Sequence, residues 1–291
     1  METSELLKRV RKIELKAKGS SQNLFSGEYH SAFKGRGMSF SEVRDYRYGD
    51  DVRNIDWNVT ARTGDAHIKV FEEERELTVM MLVDVSGSAY FGTASQTKRY
   101  LMTELGAVLA FSAIQNNDKV GLLLFAREVE LYIPPKKGRK HILRIIRELI
   151  NHEPRTVGTD VGAALQYLNN VVKKRCIAFV LSDFVSPDYA APLKVTARRH
   201  DLIGMHISDP REEQLPDVGL IHAIDAESGV RRWVDTGSAQ VREAYAQAYQ
   251  TYASAFYTQF VKSGADAVHL STSRPYQRPL LQFFERRKSL A

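Results

Sequence analysis

Five side chains could do chemistry together: Asp84, Ser86 and Ser88 in Asp84-Val85-Ser86-Gly87-Ser88, Thr159 in Gly158-Thr159-Asp160, and Asp183 in Leu181-Ser182-Asp183. A carboxylate followed at alternate positions by two hydroxyls offers three oxygens from one turn. A hard cation such as Mg2+ takes oxygen ligands in near-octahedral geometry. One turn cannot supply six positions, and Thr159 and Asp183 are the residues that could close the shell. Asp160 and Asp209 rank below them. The competing reading is structural: acids and hydroxyls of this kind also cap loops through backbone amides.

These residues need a scaffold, and the chain supplies one. The apolar run Val79-Met80-Met81-Leu82-Val83 ends at Asp84 and reads as a buried strand opening into a loop, the place where open α/β sheets set their ligands. From there βα units follow: strand 78–84, helix 95–115, strands 119–125 and 128–133, helices 138–151 and 160–173, strand 176–182, helix 188–199 and strand 201–207. Such alternation predicts a mostly parallel sheet with helices on both faces. The amino end of the helix from Ser95 should favour anions or oxygens near the loop. A hairpin over 219–235 turning at Ser228-Gly229, a helix from the Asp235-Thr236-Gly237-Ser238 cap to about Val261, a strand at 266–271 and a helix at 278–288 complete the chain. In the long helix Tyr245, Tyr249, Tyr252, Phe256 and Phe260 recur at helical spacing and read as core.

The chain before residue 77 reads as a separate segment. Leu6, Val10, Ile13 and Ala17 predict a basic amphipathic helix over 4–18, docked on its own domain, and 20–38 reads as loop. Residues 39–76 alternate acids and bases densely. Arg44, Arg53 and Arg62 are candidate partner- or phosphate-binding residues, since guanidinium forks match paired oxygens. The favoured reading is an ion-pair network fixing a β-rich insert around Ile55 and Trp57. The expected division is 1–76 and 77–291.

Composition limits the function classes. The 291 residues are 43% hydrophobic and 26% charged, ordinary values for a globular chain. The formal net charge of +6 permits an anionic partner, but signs are interspersed and no specific nucleic-acid site stands out. The single cysteine, Cys176, excludes an intrachain disulfide and reads as core. No run reaches the ~18 apolar residues of a membrane span, and Met1-Glu2-Thr3-Ser4-Glu5 lacks a signal-peptide start. A cytoplasmic protein is expected. A P-loop, a Gly-x-Ser-x-Gly elbow, a His-Glu-x-x-His zinc site and the second acid of a haloacid-dehalogenase-type phosphatase are all missing.

Asp84-x-Ser86-x-Ser88 with Thr159 and Asp183 resembles the metal-ion-dependent adhesion site of von Willebrand factor A-type domains. A second resemblance covers nearly the whole chain: Phe40-Ser41-Glu42-Val43-Arg44-Asp45-Tyr46, Gly49 to Trp57, Ala61-Arg62-Thr63-Gly64, Asp209-Pro210, Leu215-Pro216 and Asp225-Ala226-Glu227-Ser228-Gly229 are similar to the bacterial domain of unknown function fifty-eight family. The resemblances imply a von Willebrand factor A-like α/β fold and Mg2+, or Mn2+ or Ca2+ in its place. Ser86, Ser88 and Thr159 would touch the cation through hydroxyls, Asp84 and Asp183 partly through water, and one position would stay open. They also imply a MoxR-type AAA+ ATPase as partner, with this chain as an adaptor in protein assembly or maturation. Many family members carry membrane helices ahead of the shared part; this chain departs from that pattern. Neutral ligands leave a cation able to accept a partner's acidic side chain, whereas hydrolysis needs a base. A non-catalytic, metal-dependent protein-binding module is therefore expected, with a metal-dependent phosphoesterase or a basic nucleic-acid binder as alternatives.

Overall fold

The computed structural model describes residues 39–72, 77–93, 96–227 and 229–290; the expected helix at 4–18 and loop at 20–38 lie outside them. The chain divides into two compact units, one within 33–77 and one holding all described residues from Thr78 onward. In the smaller, β1 (Ser39–Asp45) pairs antiparallel with β2 (His67–Glu72). Between them lie a 3-10 turn (Val52–Asn54) and α1 (Trp57–Thr63). The helix has clear local causes. Asp56 caps it by accepting from the Asn58 and Val59 amides, and Gly64, at φ 87°, ends it in the left-handed conformation open to glycine. The expected β-rich insert is two strands around a 3-10 turn and a short helix. Trp57 is corrected: it is 70% exposed, while the contact at the centre is a bridge between half-buried Ile55 and buried Ile68.

The larger unit runs through β3 (Thr78–Asp84), α2 (Lys98–Gln115), β4 (Lys119–Phe125), β5 (Val129–Lys136), α3 (Arg139–Asn151), α4 (Val161–Val171), β6 (Ile177–Ser182), α5 (Ala190–Arg199) and β7 (Asp201–Ser208). The single turn α6 (Pro210–Glu213), the hairpin β8 (Leu220–Ile224) and β9 (Arg231–Asp235), α7 (Ala239–Ser263), β10 (Asp266–Ser271) and α8 (Gln277–Leu290) follow. Six strands form one sheet in the order β10-β7-β6-β3-β4-β5. All are parallel except β5, which returns antiparallel along β4. At that edge Pro134 and Pro135 fall where the register slips between the Val120–Lys136 and Leu122–Ile133 pairs.

Alternation along β3 sends its side chains into two cores. Met80 and Leu82 pack with Leu165 and Leu168 of α4, Leu193 of α5 and Phe256 and Phe260 of α7. On the opposite face the Met81 sulfur lies close to Gly106 of α2, beside Leu149 of α3. Burial on both faces is why the strand reads as an unbroken apolar run. Gly204 on β7 leaves room for Phe260, whose ring would stand 2.4 Å from any Cβ there. Fully burying one such ring contributes about 1.5–3 kcal/mol. The expected α/β class, a mostly parallel sheet with helices on both faces, is the observed one. Among the described residues no helix is long and apolar enough to cross a membrane.

Topology explains where the site must be. From β3 the chain builds outward through β4 and β5, then crosses back to β6 on the other side of β3. The order reverses between β3 and β6, and a crevice opens at the carboxyl ends of strands flanking such a reversal. Asp84 ends β3, and Asp183 follows β6.

Candidate metal centre

Asp84 and Asp183 are linked through hydroxyls. Asp84 Oδ1 accepts from the Ser86 amide at 2.9 Å and Oδ2 from Ser182 Oγ at 2.6 Å. Ser86 Oγ lies 3.2 Å from Ser88 Oγ, which donates to Asp183 Oδ2 at 2.7 Å. Asp183 Oδ1 accepts from the Val185 amide at 3.1 Å. The residue between, Phe184, holds φ 60°, a left-handed conformation costly for a bulky side chain and found where surrounding structure fixes it. Its amide bonds Ser182 Oγ at 2.9 Å, and its ring packs 4.4 Å from Phe256. The aromatic core thereby sets the direction of Asp183.

Thr159 reaches the same edge by another route. The Asp160 amide donates to the Ala126 carbonyl just past β4 at 2.9 Å, and Asp160 Oδ1 caps α4 through the Ala163 amide at 2.8 Å. That leaves Thr159 buried, with Oγ1 lacking a hydrogen-bond partner among the described residues. Buried hydroxyls are nearly always bonded, so this one calls for a missing partner. The two lower-ranked acids are structural: Asp160 as above, and Asp209 in a capping box on α6 with further bonds from Thr93 and Thr272.

A cation is already built in. Lys98, only 1% exposed, donates to Asp183 Oδ2 at 2.7 Å and to Glu212 Oε1 at 2.5 Å. Burial would lower its pKa, but the charges of Asp183 and Glu212 outweigh burial and hold it above the ordinary lysine value. Burial would likewise raise Asp183; the Lys98 ammonium reverses this and keeps the carboxyl below its usual range. Asp84 has no ammonium bonded to it among the described residues, and the Arg99 guanidinium acts on it only through its charge. Burial first, and the Asp183 charge second, push it up to about 7. The helix expected from Ser95 begins at Lys98, capped by Thr97; Ser95 lies outside the described residues. Instead of bare amides, its first residue brings an ammonium to the site.

The donor set suits a small hard cation. Oxygens on one edge of an octahedron with bonds of ~2.0–2.1 Å stand ~2.9 Å apart, and the Ser86 and Ser88 hydroxyls are 3.2 Å apart. The orphaned Thr159 hydroxyl is the kind of group such an ion would satisfy. Among the described residues no three His, Cys, Asp or Glu side chains cluster to hold a metal; here the donors are chiefly hydroxyls. Beside Asp183 and Glu212 opens a cavity of about 280 Å³ lined also by His206, Tyr245, Tyr249 and Tyr252, and Tyr252 donates to the Asp183 carbonyl at 3.0 Å. Of the aromatics expected in the core of α7, only Phe256 and Phe260 are fully buried; the three tyrosines line this cavity.

Four residues at the site escaped the sequence reading: Lys98, Ser182, Glu212 and Glu227, the last accepting from the Ser88 amide at 3.0 Å. Glu227 lies in a motif that was visible without a role; a lone Lys98 reads as a solvated charge. In the smaller unit, Arg44 forms a forked pair with Asp50, both contacts 2.8 Å, and Asp50 also accepts from the Arg47 amide. Arg53 and Arg62 are exposed and make no ion pair among the described residues. Among the described residues the pairs of this segment are Arg44–Asp50 and Asp56–Lys69, with Asp45–His67 joining them when the imidazole is protonated.

Comparison with known proteins identifies relatives of this chain. An uncharacterized protein of Mycobacterium tuberculosis is 31% identical over 282 residues, covering 96% of this chain and 89% of its own. An aerotolerance-related membrane protein from Bacteroides fragilis superposes with TM-score 0.50 at 18% identity, over 72% of this chain and 99% of that one. The SpRpn10 VWA domain aligns over 72% of this chain and 95% of its own at TM-score 0.39 and 12% identity. The model described as "Protein of unknown function DUF58" matches residues 42–254, and the chain belongs to that family.

Proposed function

We propose that this chain is a non-catalytic, metal-dependent protein-binding module. Ser86, Ser88 and Thr159 would hold a divalent cation through their hydroxyls, with Asp84 and Asp183 completing the charge. The bound ion would supply a Lewis-acidic docking point for a partner's acidic side chain. The observation that carries this reading is the pair of carboxylates joined through Ser86 and Ser88 across the strand reversal, with the unbonded Thr159 hydroxyl at the same edge of the sheet. Lys98 fixes Asp183 and Glu212 in place, so the site keeps its shape before the ion arrives.

Binding is favoured over hydrolysis because the site carboxylates are already engaged: Asp84, though pushed up to about 7 by burial and then by Asp183, has both oxygens bonded. Asp183 is engaged by Lys98 and Ser88, and Asp84 by Ser182 and Ser86. His206 in the adjoining cavity is pushed down to about 3 by burial and then by His269, far below the range useful to a general base near neutral pH. The partner proposed is a MoxR-type AAA+ ATPase in the cytoplasm, with this chain as its adaptor.

Calorimetric titration of metal-free protein with Mg2+ should show one weak site, lost in Asp84→Ala and Ser86→Ala. A MoxR-type ATPase from the same genome should bind the loaded protein more tightly and, by reciprocity, tighten Mg2+ binding by the same factor. ATPase binding that survives both chelator and these substitutions would refute the mechanism. Metal-dependent phosphoester turnover lost in Asp84→Ala would assign a hydrolase instead.

A further inference from the structure

The hairpin of β8 and β9 closes over the candidate metal centre through its turn. The Asp225 amide bonds the Val230 carbonyl at 2.9 Å, and the Gly229 amide bonds the Asp225 carbonyl at 2.8 Å. Gly229 takes φ 70°, the left-handed conformation the closure needs. Asp225 Oδ1 accepts from the Glu227 amide at 2.8 Å, which fixes Glu227 at the tip. The tip meets the site loop backbone to backbone: a Cβ on Gly87 would stand 2.3 Å from the Ala226 carbonyl oxygen. Nothing larger than glycine fits between Ser86 and Ser88 while the turn is seated.

Glu227 uses only half of its carboxylate there. Oε1 accepts from the Ser88 amide at 3.0 Å, and Oε2 is buried with no partner among the described residues. A carboxylate oxygen removed from water without a donor or cation is costly. Ser88, meanwhile, directs its hydroxyl at Asp183. The acid therefore rests against the residue that joins the two halves of the site, with one oxygen unsatisfied.

We propose that Glu227 is the chain's own acidic ligand for this site, so that a partner's carboxylate binds by exchange, displacing Glu227 from the Ser88 amide. This deepens the metal-dependent reading and rests on it. An amide cap for the 3-10 turn at Gly87–Tyr90 would need an acceptor but no charge. Glu227→Gln separates the two roles, because it keeps the acceptor and removes the charge. Gly87→Ala gives an independent variant that unseats the turn with Glu227 intact.

The test is titration of the full-length protein with Mn2+, read by water-proton relaxation, with acetate as carboxylate probe. Wild type should bind Mn2+, and Asp84→Ala should not. Glu227→Gln should weaken Mn2+ binding about tenfold, raise the relaxivity of the bound ion as water enters the vacated position, and respond to acetate at about tenfold lower concentration than wild type. Gly87→Ala should show the same rise in relaxivity. If wild type binds Mn2+ through Asp84 but Glu227→Gln matches it in affinity, relaxivity and acetate response, Glu227 is a cap and the exchange model falls while the metal site stands. If wild type shows no Mn2+ binding that Asp84→Ala removes, both fall.

Discussion

Asp84→Asn should stabilise the metal-free protein above neutral pH. The substitution keeps the size of the side chain and an oxygen acceptor for the Ser86 amide, and it removes a charge whose folded pKa is pushed up to about 7 by burial and then by Asp183. A group whose folded pKa exceeds its unfolded value contributes stability that is fully present below the unfolded pKa, here 3.8, and lost as pH rises through the folded one. The shift from 3.8 to about 7 corresponds to roughly 4 kcal/mol at 1.36 kcal/mol per unit. More than half of it is lost between pH 5 and 8. Urea unfolding of wild type and variant in chelator at several pH values reads the effect of Asp84 together with its coupling to Asp183. The stability difference should grow in favour of Asp84→Asn as pH rises from 5 to 8. Saturating Mg2+ should shrink or reverse it, because the ion stabilises wild type by mass action and needs the carboxylate. A difference that stays flat with pH, or an Asn variant that is the weaker in chelator at pH 8, would refute the argument.

Thr159→Val should stabilise the metal-free fold by about 1–3 kcal/mol, the cost of a buried unsatisfied hydroxyl, and should weaken Mg2+ binding in calorimetry; a loss of stability would mean the hydroxyl has a protein partner. In the smaller unit Arg44→Ala should lower the melting temperature by breaking its fork with Asp50, whereas Arg53→Glu should leave it unchanged, and equal losses from both would restore the wider ion-pair network.

The centre of the sheet was legible because β3, β4 and β6 carry continuous apolar runs. Val79 to Asp84 and Cys176 to Asp183 could be read as strands ending in acids without any knowledge of their neighbours. Which strands lie side by side could not, yet that adjacency is what sets Asp84 beside Asp183. Lys98 shows the limit most clearly. One lysine at the start of a helix gives no local sign of burial; Asp183 and Glu212, distant in sequence, make its burial tolerable. Trp57 failed in the opposite direction, since an aromatic among charges suggests a small core, while Asp56 and Gly64 were sufficient to mark a helix. The tyrosines of α7 share a helical period with Phe256 and Phe260, but period alone does not tell a core wall from a cavity wall.

The proline pair at the β5 edge bears on how partners approach. Pairing of an added strand needs a run of backbone donors, and Pro134 and Pro135 have none. The slipped register beside them also breaks the regular ladder that a guest strand would have to follow. Strand addition at this border is thereby penalised, whether the guest is a client polypeptide or another copy of the chain. At this border the sheet has a built-in defence against edge-to-edge aggregation.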